Sequence, residues 1–120
     1  MSTYYQAMTT PLDLVMEFGR RWAAHDLDAT IALLTDDCLF DGTGPAPDGT
    51  PFVGRAAIAD AWRPIFDDTA SVFEVEQTID AGDSIIQLWT YRWSDGHVRG
   101  IDVFRVVDGL IAEKRSYVKG

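Results

Sequence analysis

Asp102 is the residue best placed to do chemistry in this chain, because it interrupts the apolar face of a strand. In the run Val98-Arg99-Gly100-Ile101-Asp102-Val103-Phe104-Arg105-Val106, alternate side chains point to opposite faces, so Val98, Gly100, Asp102, Phe104 and Val106 share one side. Burying an ionised carboxylate is expensive unless it is paired or hydrogen-bonded, and a purely structural strand would carry Val or Thr there. An acid on that face predicts a pocket. A carboxyl group in an apolar setting can donate or exchange a proton near neutral pH, which is the work of a general acid or base. The competing reading is an Asp that bonds a neighbouring backbone group or pairs with Arg99, Arg105 or Arg115; Arg99 and Arg105 alternate onto the other face of the strand.

The remaining chemistry-bearing residues are aromatic or isolated. Trp22, Trp62, Phe66, Trp89 and Tyr91 are too many large aromatics for surface decoration, although core packing explains each one singly. Gln87, Trp89 and Tyr91 share one strand face and offer a polar handle beside a stacking surface; Tyr117 could add a hydroxyl. Cys38 reads as a small buried core residue. Together with His25 and His97 it forms no recognisable metal spacing. Gly42-Thr43-Gly44 lacks the strand-to-helix setting of a phosphate-binding loop, and Ser116 lacks a nucleophile elbow. No metal or cofactor is called for.

These residues need elements to hold them. Pro11 opens a helical pattern in which Leu12, Val15, Met16, Gly19, Trp22 and Ala23 recur. A second short helix follows the His25-Asp26-Leu27-Asp28 corner, with Asp28 as its N-cap, Ile31 and Leu34 facing inward, and Asp36-Asp37 at its end. A first strand runs from Cys38 to Asp41. The segment Gly42 to Pro51 is rich in Gly and Pro and reads as a loop, of the length often used for lids or binding. A third helix spans Gly54 to Phe66, with Ile58, Ala61, Trp62, Ile65 and Phe66 as its apolar stripe and Pro64 bending or ending the last turn. Four extended runs follow, Ser71–Asp80, Ser84–Trp93, His97–Val107 and Leu110–Val118, joined by short Gly-containing turns, which is an antiparallel meander of hairpins. Three N-terminal helices covering one face of such a sheet give an α+β fold. Ile101, Val103 and Val107 make the uncovered face partly apolar, which predicts a homodimer through it.

With 120 residues, no repeat and no interdomain linker, residues 1–120 read as a single domain. The net charge of −9 repels phosphate backbones and anionic lipid surfaces, which argues against nucleic-acid or membrane partners. No run approaches the roughly 18 apolar residues of a spanning helix. Met1-Ser2-Thr3-Tyr4-Tyr5-Gln6 lacks the basic and apolar regions of a secretory signal, so a cytoplasmic location is the expectation.

Three segments carry a family resemblance: His25-Asp26-Leu27-Asp28 through Leu34-Thr35-Asp36-Asp37, then Phe52-Val53-Gly54-Arg55-Ala56-Ala57-Ile58, then Gly100-Ile101-Asp102-Val103-Phe104-Arg105-Val106-Val107-Asp108-Gly109-Leu110-Ile111-Ala112-Glu113. With them the chain resembles the SnoaL-like branch of the nuclear transport factor 2-like (NTF2-like) superfamily. The resemblance implies a cone, in which a curved, mainly antiparallel sheet wraps the helices around an apolar pocket. This superfamily hosts isomerases, cyclases, hydrolases, dehydratases and non-enzymatic binders, so the resemblance leaves the activity open.

Residue by residue, Asp102 matches the strand aspartate that polyketide cyclases of this type use as acid/base, and the protonated acid of the ketosteroid isomerase oxyanion hole. The isomerases' general-base aspartate falls on Gly42. Asp41 stands one step earlier and faces the other way unless the segment shifts by one residue, so it is a secondary catalytic candidate. Phe18 replaces the isomerases' first-helix tyrosine and cannot donate a hydrogen bond, while Ser116 replaces an aspartate of the epoxide hydrolases; both activities are disfavoured. What remains is a cofactor-independent cyclase or isomerase acting on a hydrophobic carbonyl compound, polyketide- or steroid-like. Asp102 would move the proton, and Phe18, Trp22, Trp62, Phe66, Gln87, Trp89, Tyr91, Phe104 and Tyr117 would contact the compound. The alternative is a non-catalytic binding or accessory domain for an apolar metabolite.

Overall fold

A computed structural model describes residues 10–120 of the chain; the Met1–Gln6 segment considered above lies outside them. Helix α1 spans Pro11–Ala23. Thr10 caps it by accepting the Asp13 amide at 3.1 Å, and Pro11 occupies the first turn, where its missing N–H leaves no bond unmade. Its buried stripe is Leu14, Val15 and Phe18, whereas Met16 is 44% exposed. The inner face is therefore rotated from the expected one, and Phe18 and Trp22 sit one turn apart on it with ring centroids 5.7 Å apart.

Helix α2 covers Leu27–Ile31. Its N-cap is Asp26 rather than Asp28: the Asp26 carboxylate accepts the Ala29 amide at 3.1 Å, and Asp28 falls inside the first turn. Strand β1 begins earlier than expected and runs over Leu34–Gly42. Asp36 and Asp37 lie within it as exposed residues, at a register shift between Leu34 and Leu39. Part of the Gly/Pro-rich segment is also a strand: β2, Thr50–Val53, pairs antiparallel with β1 and places Phe52 opposite Phe40. Pro51 fits there because β2 is an edge strand. The connection tightens at Gly49, whose φ is +73° and where a Cβ would meet the Gly42 carbonyl oxygen at 1.7 Å.

Helix α3, Arg55–Asp67, buries Ile58, Trp62 and Phe66, and this stripe carries the helix through Pro64, which lies on the exposed side. Strands β3 (Val72–Asp80), β4 (Ser84–Trp93), β5 (Gly96–Val107) and β6 (Leu110–Val118) form the expected meander. The six strands lie in the order β2-β1-β6-β5-β4-β3, with β1 parallel to β6 and every other pair antiparallel. Register shifts in β1–β6, β3–β4 and β5–β6 bend the sheet around the helices. The core between the layers gathers Leu14, Val15, Phe18, Leu34, Cys38, Ile58, Trp62, Ile85, Phe104 and Ile111. Burial pushes the Cys38 thiol up to about 12. No helix of the described residues is long and apolar enough to cross a membrane.

Candidate functional site

The alternation of β5 puts Gly100, Asp102 and Phe104 on the inner face, all buried, and Asp102 is only 1% exposed. Its neighbours across the sheet are Gln87 on β4 and Ser116 on β6. The cation beside it is Lys114, not an arginine. The Lys114 ammonium lies 3.2 Å from Asp102 Oδ2, and Ser116 donates its hydroxyl hydrogen to Asp102 Oδ1 at 2.7 Å. Lys114 also donates to Ser116 Oγ at 3.1 Å, closing a ring of three polar side chains. Arg99 pairs with Glu76, while Arg105 and Arg115 both pair with Glu113.

Lys114 is 6% exposed and enclosed by aromatic rings, with Nζ 4.9 Å from the centroid of Phe40, 5.4 Å from Trp22, 5.6 Å from Trp62 and 6.0 Å from Phe104. Such ring faces stabilise a cation that has lost its water. The rings lock one another edge-to-face: Phe18 to Phe104 at 5.4 Å, Trp22 to Trp62 at 4.9 Å, Phe40 to Trp62 at 5.3 Å.

Two cavities open from this cluster. The smaller, about 40 Å³, is lined by Asp102, Gln87, Phe18, Trp22, Phe73, Phe104 and Lys114 among others. The larger, about 290 Å³, runs between α1, α3 and the sheet and is lined by Phe40, Thr43, Phe73, Tyr91, Ser116 and all four tryptophans of the chain, Trp22, Trp62, Trp89 and Trp93. Lys114, Trp22 and Phe73 belong to both, so the ammonium stands where the two spaces meet. Gly100 makes room for this lining: a Cβ there would meet Trp89 Cζ2 at 2.6 Å.

Of the residues singled out from the sequence, Asp102, Phe18, Trp22, Gln87 and Phe104 converge on the smaller cavity, and Trp22, Trp62, Trp89 and Tyr91 on the larger. Phe66 lines neither; it is 5% exposed, packs its ring 4.6 Å from Trp22, and its carbonyl oxygen lies 3.0 Å from His25 Nδ1. Tyr117 lies on the opposite face, 55% exposed, because its alternation with Ser116 turns it outward. Asp41 stays out of both cavities. It pairs in register with Pro51 and Arg115, while its neighbours Phe40 and Gly42 take the inner positions. Lys114 and Ser116 went unrecognised, since Glu113-Lys114-Arg115-Ser116 reads as an exposed charged run. Phe40 and Phe73 were missed as well.

Comparison with known proteins agrees with this geometry. The SnoaL-like domain model matches residues 15–114. An NTF2-like protein of unknown function from Mesorhizobium loti shares 36% identity over 92% of this chain and 91% of its own, with a TM-score of 0.84. A computationally designed 17-OHP binder shares 27% identity over 92% of each chain, with a TM-score of 0.77. RV0760c from Mycobacterium tuberculosis, solved in complex with estradiol-17beta-hemisuccinate, shares 26% identity over 91% of this chain and 94% of its own, with a TM-score of 0.75. No curated protein matches the chain. With the family model covering most of its length and an α+β cone of the same topology, the chain belongs to the SnoaL-like family of NTF2-like proteins.

Proposed function

We propose that this protein binds a hydrophobic carbonyl compound of polyketide- or steroid-like size in the aromatic cavity, and that Asp102 moves a proton beside the carbonyl, as a cofactor-independent cyclase or isomerase would. The observation that carries the reading is the buried Lys114–Asp102 pair, whose lysine lines that cavity while its aspartate lines the smaller space beside it. A buried ion pair can be replaced by apolar residues of similar volume with little loss of stability, so fold maintenance alone does not account for it. The steroid complex of a relative at 26% identity supports a ligand of this class. In an enolisation, Asp102 takes the proton from the carbon next to the carbonyl, the C–H electron pair becomes the new C=C bond, and the carbonyl π pair moves to oxygen. Returning the proton to carbon completes an isomerisation with no oxidant or reductant.

A second reading, non-catalytic binding, is favoured by one observation: Ser116 and Lys114 already occupy both oxygens of Asp102. The Asp102→Asn variant separates the two. Under the catalytic reading it binds the same carbonyl compound with similar affinity and loses turnover. Unchanged turnover rejects Asp102 as the proton carrier, and no turnover by the wild type across a panel of cyclic ketones rejects catalysis and leaves binding.

The face of the sheet away from Asp102 supports a homodimer. Leu88, Ile101 and Tyr117 line a groove of about 310 Å³ there, bordered by Glu76, Arg99 and Lys119, and in this reading a second copy of the chain covers it.

A further inference from the structure

Lys114 carries one hydrogen-bond donor more than the resting site uses. An ammonium has three N–H groups. One is donated to Ser116 Oγ, and Asp102 Oδ2 lies 3.2 Å from the same nitrogen as its ion-pair partner. Ser116 cannot reverse its bond to relieve the third, since its own hydrogen goes to Asp102 Oδ1 at 2.7 Å and its oxygen is the acceptor for Lys114. No other acceptor among the described side chains bonds Lys114. Its side chain is only 7% exposed and borders both cavities. The surrounding ring faces of Phe40, Trp22 and Trp62 favour the cation without offering a lone pair.

Resting on the proposed proton transfer by Asp102, we propose that Lys114 is the electrostatic partner of the substrate oxygen: the ammonium that pairs with Asp102 in the resting site also holds the oxygen that becomes negative when Asp102 takes the proton. The physical advantage is conservation of charge. Before the transfer the buried site contains one ammonium and one carboxylate; afterwards it contains the same ammonium, a neutral carboxylic acid and an enolate. The negative charge moves from Asp102 oxygen to substrate oxygen without leaving the reach of one fixed cation, so little surrounding reorganisation is needed in a space where water is scarce. Ser116 is the positioning residue, because its hydroxyl fixes which Lys114 N–H groups are taken and which is free. The substrate class follows: a compound that enters neutral, since the resting pair already balances and the chain as a whole carries −9, and whose carbonyl is conjugated enough to hold charge as an enolate.

The test uses 2-naphthol, a flat aromatic whose ionised oxygen mimics an enolate and whose ultraviolet absorption distinguishes naphthol from naphtholate. In Asp102→Asn the ammonium keeps its place and loses its resting anion, so bound 2-naphthol ionises with its acidity raised by about tenfold to a thousandfold. In Asp102→Asn/Lys114→Met the bound compound stays neutral. Binding to both variants with naphthol neutral in both overturns the role of Lys114 while the hydrophobic binding reading survives. Failure of 2-naphthol to bind the wild type or either variant overturns both. A measurement on the wild type guards against a variant that does not fold: the carbonyl stretch of bound 9-fluorenone falls below its value in hexane if the free N–H donates to it. A hexane-like frequency in fluorenone-loaded wild type overturns the proposal.

Discussion

Phe104 and Lys114 stand opposite one another across the β5–β6 ladder, one residue out of step with the turn that joins the two strands. Val107 pairs with Leu110 and Val106 with Ile111, but Arg105 pairs with Glu113, so Ala112 is left over as a bulge. Every inner position beyond it changes identity. Continued without the bulge, the hairpin register would set Arg115 beside Asp102; with it, Ser116 takes that place and Lys114 comes inward.

The ion pair that results is predicted to behave asymmetrically on mutation. Lys114→Met leaves Asp102 buried without its cation and lowers unfolding free energy by about 3–5 kcal/mol. Asp102→Leu/Lys114→Met recovers most of that loss, since neither charge remains. Urea denaturation of the wild type, the single and the double variant reads the coupling. A double variant less stable than Lys114→Met would contradict a pair retained for chemistry.

Two glycines should respond in opposite directions to alanine. Gly100→Ala drives a Cβ to 2.3 Å from the Tyr117 carbonyl oxygen and 2.6 Å from Trp89, and overpacking of this kind destabilises by about 1–3 kcal/mol. Gly19→Ala, in the middle of α1 with nothing within 4 Å of the added carbon, stabilises by roughly 0.5–1 kcal/mol through helix propensity. Thermal melts followed by tryptophan fluorescence report both.

Cys38 makes stability depend on alkaline pH. Its thiol is held protonated by burial, with the folded value at about 12 against an ordinary 9.0. The folded chain therefore binds this proton more tightly than the unfolded chain. The contribution is fully present below pH 9 and is lost as the pH rises towards 12. Unfolding free energy measured between these limits should fall less steeply in Cys38→Ala than in the wild type. Native protein at pH 8 should also react with a thiol reagent only at the rate of its opening; immediate labelling would refute this placement of Cys38.

The outer face gives a prediction on assembly. Ile101 is 39% exposed and Tyr117 55%, and a second copy covering them would double the mass seen by light scattering. Ile101→Glu should then shift the species to a monomer while circular dichroism stays unchanged. A wild type that is monomeric at high micromolar concentration would dispose of the dimer.

Much of the fold was readable locally. The bounds of β4 and β6 follow from alternation and from the glycine turns at Gly82, Gly96 and Gly109, and Asp102 is on the inner face because period two is a property of any strand. Less readable were elements that depend on a partner. Strand β2 contains Pro51 and only four residues, and it exists because β1 offers it an edge. The inner stripe of α1, Leu14, Val15, Phe18 and Trp22, is helically spaced, but so is the stripe through Met16 and Gly19, and the sheet and α3 decide between them.

What the amino-acid order determined by itself was an acid on an apolar strand face, enough aromatics to surround it, and the succession of helices and hairpins that places them in one layer pair. Tertiary structure alone decided the acid's company. Lys114, Ser116 and Arg115 are near neighbours in a charged run, and which of them turns inward depends on the single unpaired residue Ala112, a feature of how two strands meet. It equally decided that Tyr117 faces outward and that Phe66 serves the core, because strand parity and helix rotation acquire an inside only once the opposing layer is in place.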